Sequence, residues 1–265
     1  MLILETTFRR CKNFLSNSNF LRKLIYTQHR LLPMPLWAFD WIFRSGFRRR
    51  LFDFYGANVA KYSYLRREGQ LDYWLSKESL YWHFWRQTDT HAKTLREVAS
   101  SLNTIVFKNE ATSLTAVELG FGVGKDYAKF FKRLNFKKYI AVEPNAYLCD
   151  YAVKKFLFDK NLEIINALVG DFIEQRRSFD FLFCSGGVFM YLDQPNVNAF
   201  FQSLKGAGVK VIIILNEGTP GDDITRDDRT TMFNFKQRLI TSGYSNARFI
   251  EKQKENGVYS YFVMC

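Results

Sequence analysis

Hydrophobic and polar positions change rhythm near residue 110. Up to about Leu102, apolar residues return every three or four positions without two-residue alternation, which predicts helices. From Ser113 onward, short β-branched or aromatic runs alternate with helical stretches. The runs are 113-SLTAVELG, 139-YIAVEP, 162-LEIINAL, 179-FDFLFCSG and 209-VKVIIILNEG. Helical patterns follow four of them, over 125–134, 146–159, 194–204 and 227–242. That order predicts parallel strands joined by crossover helices. Two further extended runs, 245-SNARFIEKQ and 257-GVYSYFVMC, flank Asn256-Gly257, a strong hairpin turn signal. The expectation is an α/β fold: a doubly wound, mostly parallel seven-stranded sheet with an antiparallel C-terminal hairpin. An α-helical N-terminal region precedes it. The stretch 103–112 carries no clear pattern, so the chain divides into 1–110 and 111–265.

Charge sharpens this division. The 265 residues include 38 Lys and Arg and 26 Asp and Glu, a formal charge of +12. Residues 1–67 alone hold thirteen basic and three acidic residues, a net +10. Such asymmetry points to an anionic partner for the first quarter, a lipid surface or a nucleic acid, with a solvated face as the alternative. Within it, 30-RLLPMPLWAFDWIFRSGFRRRLFDF sets Trp37 and Trp41 beside Arg44, Arg48, Arg49 and Arg50. Aromatic and basic residues so mixed suit a membrane interface, or single-stranded nucleic acid. The lipid surface through 30–67 is favoured here, slightly ahead of packing within the chain. In 70-QLDYWLSKESLYWHFWRQ, the residues Leu71, Trp74, Leu75, Trp82 and Trp85 form one helical stripe, expected to pack as core.

Other classes fall away. At 47% hydrophobic residues the chain is no disordered polymer. Its longest apolar stretch, 31–43, is shorter than the roughly 20 residues of a membrane span and is interrupted by Asp40 and two prolines. Cys11, Cys149, Cys184 and Cys265 show no metal or disulfide spacing, which suits a reducing compartment and no metal site. The first apolar patch precedes the first charges, the reverse of a secretory signal. The expected location is cytoplasmic, with a peripheral membrane contact; a basic, acid-poor start leaves an organellar transit peptide open.

Candidate chemistry lies at the ends of the predicted strands. In 116-AVELGFGVGKD a strand carries Glu118, then Gly120, Gly122 and Gly124 alternate around Phe121, and a helix begins. Glycines at a strand-to-helix turn let backbone approach a ligand closely. A dinucleotide G-x-G-x-x-G fails at Lys125, and a P-loop fails because Asp126 follows Gly124-Lys125. An acid before the glycines disfavours a pyrophosphate and suits a cationic cofactor. Glu143, ending the second strand before Pro144, is placed to accept both hydroxyl hydrogens of a ribose. Asp171 and Phe172 follow the third strand, where an acid accepts from an adenine amino group and a ring lies beside it. Ser185, Gly186 and Gly187 end the fourth strand on the same edge.

These residues resemble the class I S-adenosylmethionine-dependent methyltransferases over about residues 113–265. The resemblance rests on the Rossmann-like strand order, the E-x-G-x-G-x-G turn, the strand-two acid and the closing hairpin. It implies S-adenosylmethionine as cofactor, with the glycine turn at its methionine end, Glu143 on ribose and Asp171 with Phe172 on adenine. Cys184 to Gly187 would then face the methionine end and the acceptor.

Methyl transfer from a sulfonium is a displacement governed by positioning, and a hydroxyl acceptor also needs a base. Candidates are Glu217, Tyr191 and His83, with His91 and Asp193 behind them. His83, in 80-LYWHFW, reads more readily as a packed core histidine. The strand-four turn lacks the N/D-P-P-Y/F pattern that the family uses for base amino groups, and no Pro-Cys nucleophile is present. The expected activity is methyl transfer to a small-molecule, glycan or lipid-linked acceptor, at oxygen. The alternatives are an RNA or protein methyltransferase using the basic arm, and a cofactor-binding scaffold without activity.

Overall fold

The computed structural model describes residues 71–76, 79, 96, 100, 111–215, 218–219, 221–226, 230–245, 248–253 and 259–264. Contacts divide the chain into two compact units, Met1–Gln87 and Thr88–Cys265. In the first, helix α1 covers Leu71–Leu75. Its fully buried residue is Tyr73, whose ring meets Trp74 edge-on at 5.0 Å, while Leu71 is exposed. The buried position is thus offset from the stripe read in the sequence. Trp82, Trp85, the 30–67 segment and the N-terminal start lie outside the described residues.

The second unit is built on a sheet. Its parallel strands are β1 (Thr115–Leu119), β2 (Lys138–Glu143), β3 (Leu162–Asn166), β4 (Phe181–Ser185) and β5 (Val211–Leu215). A ribbon, β6 (Ile224–Arg226) and β7 (Thr230–Met232), follows, and β8 (Arg248–Gln253) and β9 (Tyr259–Met264) close the chain. The sheet order is β3-β2-β1-β4-β5-β9-β8, with β9 antiparallel to both β5 and β8. Chain direction across the sheet reverses between β1 and β4, the switch point at which open α/β sheets bind ligands. Central strands buried on both faces explain the near-continuous apolar runs, such as Val-Ile-Ile-Ile-Leu of β5.

Helices cover both faces. On one, Ala116, Tyr139, Phe181 and Phe183 pack against Phe130 and Phe131 of the first crossover and Ala152 of α2 (Ala146–Lys155). On the other, Val117, Ile140, Leu182 and Ile212 meet α3 (Val169–Glu174), α4 (Gln194–Gly206) and α5 (Phe235–Thr241). Much of the aromatic content is core: Phe131 and Phe183 lie 4.5 Å apart, and Tyr127 and Tyr139 4.6 Å. Interlocked rings of this kind add roughly 0.5–1.5 kcal/mol per pair beyond area burial.

Three predicted helices change. The first crossover is a π-helical turn, Tyr127–Phe131, then a 3-10 turn, Lys132–Leu134, stopped by left-handed Asn135 (φ 53°). The wider turn buries Tyr127, Phe130 and Phe131 together. Helix α2 stops at Lys155, four residues early, and Asp159 bonds Tyr127 instead. The helix expected over 227–242 begins only at Phe235, because Thr230–Met232 pairs with Ile224–Arg226 as an antiparallel ribbon.

Candidate functional site

The glycine turn follows β1 at the switch point. Gly120, Gly122 and Gly124 have φ of 74°, 58° and 65°, a left-handed region that other L residues avoid. At Gly124 a Cβ would lie 2.5 Å from the Phe156 ring and 2.6 Å from that of Phe121. The turn is therefore held by packing, and Phe121 is one of its buried supports. Lys155 adds a bond from Nζ to the Val123 carbonyl, 2.9 Å.

Glu143 closes the turn from the next strand. It is 5% exposed. Its Oε2 accepts the Gly122 N–H at 2.8 Å, and its Oε1 accepts the Asn145 N–H at 2.9 Å. A carboxylate offers about four acceptor positions, so each oxygen retains one for a ligand hydroxyl. The supports are polar as well. Asn145 caps α2 through the N–H groups of Tyr147 and Leu148, and Asn166 Nδ2 donates to the carbonyls of Glu143 and Pro144, both at 2.9 Å. The Cys149 thiol donates to the Glu143 carbonyl. Burial raises that thiol to about 12, so it is no nucleophile.

Glu118 lies on the same sheet face, 2% exposed, and accepts the Tyr139 hydroxyl at 2.7 Å. Burial pushes its carboxyl well above the usual range, and the charges of Asp126 and Glu143 add to the rise. Three carboxylates thus gather around one glycine turn. Asp126 also accepts from the Ser185 hydroxyl at 3.0 Å, tying the start of the first crossover to the end of β4. A bound cation would favour the ionised forms that burial disfavours.

The other predicted residues fall as follows. Asp171 is exposed in the first turn of α3. Phe172 is 2% exposed and packs beside Phe179, because α3 turns it toward the sheet. Pro144 sits between Glu143 and the α2 cap. Gly186 is exposed with φ 79°. Tyr191 is half-buried in the turn Phe189–Tyr191, and a Cβ on Gly187 would stand 3.4 Å from its ring. Asp193 caps α4 through the Asn196 N–H, 2.8 Å, which gives it a structural task. Glu217, His83 and His91 lie outside the described residues. Among the described residues no cluster of His, Cys, Asp or Glu could hold a metal, and no helix is long and apolar enough to cross a membrane. Sequence reading passed over Asp126, Asn145, Asn166 and Tyr139. Only Asn145, a polar residue directly before a helical run, carried a local signal.

The burial of Glu143 yields a pH dependence. Burial raises its carboxyl to about 7, against the lowering by the Asn145 and Gly122 N–H groups. Its folded value lies above its unfolded one, so the folded state binds the extra proton between those values. Stability from this group is therefore greatest in acid and falls as pH rises toward 7. Ligand hydroxyls need the ionised form, so affinity should move oppositely. Titration calorimetry with S-adenosylmethionine should show affinity rising roughly tenfold from pH 6 to pH 8. Glu143→Gln should flatten that rise, and an equal slope in the variant would refute the assignment.

Comparison with known proteins agrees with this geometry. A family model described as a methyltransferase domain matches residues 116–207, from the second residue of β1 through the end of α4. No curated protein sequence matches the chain. Among solved structures, a SAM-dependent methyltransferase of Leishmania major aligns with TM-score 0.51 and 16% identity, over 77% of this chain and 83% of its own. Magnesium protoporphyrin IX methyltransferase from Synechocystis, crystallised with SAM, aligns with TM-score 0.51 and 13% identity, over 77% of this chain and 97% of its own. At these identities the structural likeness shows the fold. The family match over 116–207, the strand order and the acid-flanked glycine turn together support a class I S-adenosylmethionine-dependent methyltransferase.

Proposed function

We propose that this enzyme transfers the methyl group of S-adenosylmethionine to an oxygen atom of a small-molecule, glycan or lipid-linked acceptor. The observation that carries this reading is the β4 edge. Ser185, Gly186 and Gly187 form a glycine-bearing turn beside Tyr191, exposed at Gly186, without the amide and paired prolines used to clamp a base amino group.

The residues present fit the cofactor. The two remaining acceptor positions of Glu143 suit ribose hydroxyls, and the three carboxylates suit a ligand bearing sulfonium and ammonium charges. When bound, S-adenosylmethionine supplies a methyl group already activated by the positive sulfur. The protein's own work is then to hold and exclude. Glycine backbone accepts close approach, Glu143 fixes one end, and Glu118 and Asp126 lower the cost of burying positive charge. Asp171, exposed at the start of α3, is assigned to the adenine amino group. Tyr191, on the acceptor side of β4, is assigned to orient the acceptor, with Glu217 and His83 as further candidates for taking the hydroxyl proton.

Purified full-length protein incubated with methyl-labelled S-adenosylmethionine and a fractionated cell extract tests the reading. Label should enter the small-molecule, glycan or lipid fraction and be recovered as methyl ether or ester. Label confined to RNA or protein would replace this acceptor class. Cofactor binding without labelled product in any fraction would favour a scaffold.

A further inference from the structure

A second surface of the same unit lies beside the amino ends of two strands of the sheet. Residues 132–138 lead into the amino end of β2, and 154–160 approach the amino end of β3. The glycine turn follows the carboxyl end of β1, and while Lys155 and Phe156 reach back to support that turn, both segments run on toward the amino ends of β2 and β3. They are joined there. Lys132 Nζ meets Asp159 Oδ2 at 2.9 Å, and Asn161 Nδ2 donates to the Phe136 carbonyl at 3.2 Å.

Their sequences are K-R-L-N-F-K-K and K-K-F-L-F-D-K, seven basic residues and one acid. That acid, Asp159, is already taken by Lys132 and by the Tyr127 hydroxyl at 2.9 Å. Phe156 turns inward and packs on Phe121 and Tyr127 at 6.0 and 5.4 Å. Its two successors do the reverse. Leu157 is 68% exposed and Phe158 93%. A lone exposed hydrophobe needs no explanation, but a protruding Leu-Phe pair between Lys154 and Lys160 does.

We propose that this edge docks on an anionic lipid surface, with Leu157 and Phe158 entering the interface and Lys137, Lys154 and Lys160 lying at the headgroups. Apolar side chains gain by leaving water for the acyl boundary, while lysine stems extend so that their charges stay with the phosphates. A second copy of this chain fits less well, because a self-complementary contact would bring like charges together. Single-stranded nucleic acid matches the charge, but it offers no gain for the aliphatic Leu157, which has no face to stack on a base. The proposal is independent of the acceptor assignment.

Flotation of the full-length protein tests it, with vesicles of phosphatidylcholine alone or with roughly 30% phosphatidylserine. The protein should float with the anionic vesicles. The variant L157S/F158S, and separately K137E/K160E, should lower the bound fraction at least about fivefold. Because the basic N-terminal segment is present in every sample, the difference between variants is the readout. An unchanged thermal midpoint and S-adenosylmethionine affinity certify the fold of each variant, and keep this test distinct from the methyl-transfer one. The proposal is overturned if the wild type fails to float, or if L157S/F158S floats equally. It is also overturned if the wild type is a dimer that L157S/F158S dissociates without loss of lipid binding. Loss of RNA-oligonucleotide binding alone in K137E/K160E, with flotation intact, would reassign the surface to nucleic acid.

Discussion

Replacing Glu143 with alanine is expected to weaken S-adenosylmethionine binding by about two orders of magnitude or more, while the protein stays folded. The carboxylate serves two sets of donors. Inside the protein it holds the N–H groups of Gly122 and Asn145, at 2.8 and 2.9 Å. Toward the ligand, its remaining acceptor positions take the ribose hydroxyls. Hydrogen bonds to a charged group contribute roughly 1.5–3 kcal/mol each, so losing two predicts a factor of about 10² or greater. Stability should change less. Two buried N–H groups are orphaned, at about 1–3 kcal/mol each, but an unfavourably buried carboxyl is removed, as its value near 7 shows. Calorimetry with the cofactor and thermal denaturation separate the two effects. Affinity within threefold of wild type would remove Glu143 from the cofactor site.

The sheet was legible because buried parallel strands need unbroken apolar runs, and 209-VKVIIILNEG or 179-FDFLFCSG have little other use. The glycine turn was legible for the same kind of reason: alternating glycines between a strand and a helix have few other causes. What the pattern missed depends on contacts distant in sequence. Asp126 follows Gly124-Lys125 as one more charged residue, and only the arrival of Ser185 beneath it shows its task. Asn166 supports Glu143 because β3 lies beside β2, a pairing without a local signal. The ribbon was lost in 221-GDDITRDDRTTMFNF, where acidic and basic residues at helical spacing outweighed the β-branched Ile-Thr and Thr-Thr pairs. The different surroundings of Asp171 and Phe172 had no signal in the pair itself: successive helix positions point about 100° apart, so Asp171 meets solvent while Phe172 meets the sheet.

Asp223→Ala should lower stability by about 3–5 kcal/mol, the range seen when one partner of a buried ion pair is removed. Asp223 lies in the connection after β5, at the carboxyl edge of the sheet. Its Oδ1 accepts from the Asn234 N–H and from Arg238, both at 2.8 Å; its Oδ2 accepts from Arg238 at 2.5 Å and from Gln194 at 3.2 Å. One carboxylate thus ties the β5 connection to the starts of α4 and α5. The Arg238 side chain is 10% exposed and its guanidinium stands 4.7 Å over the Phe233 ring, so it cannot turn to water when its partner is lost. Arg238→Ala should be milder, because Asp223 keeps the Asn234 and Gln194 donors and is itself nearer solvent, at 19%. At about 2–4 °C per kcal/mol for a unit of this size, thermal denaturation resolves the difference, and a loss below about 1 kcal/mol for Asp223→Ala would show that the pair is not the anchor. Cofactor affinity should hardly change, since Glu143 and the glycine turn belong to other connections. If the β5 connection borders the acceptor's approach, turnover should fall sharply even where the variant stays folded. A variant that binds S-adenosylmethionine normally and fails to transfer its methyl group would therefore map the acceptor side of the site to this connection.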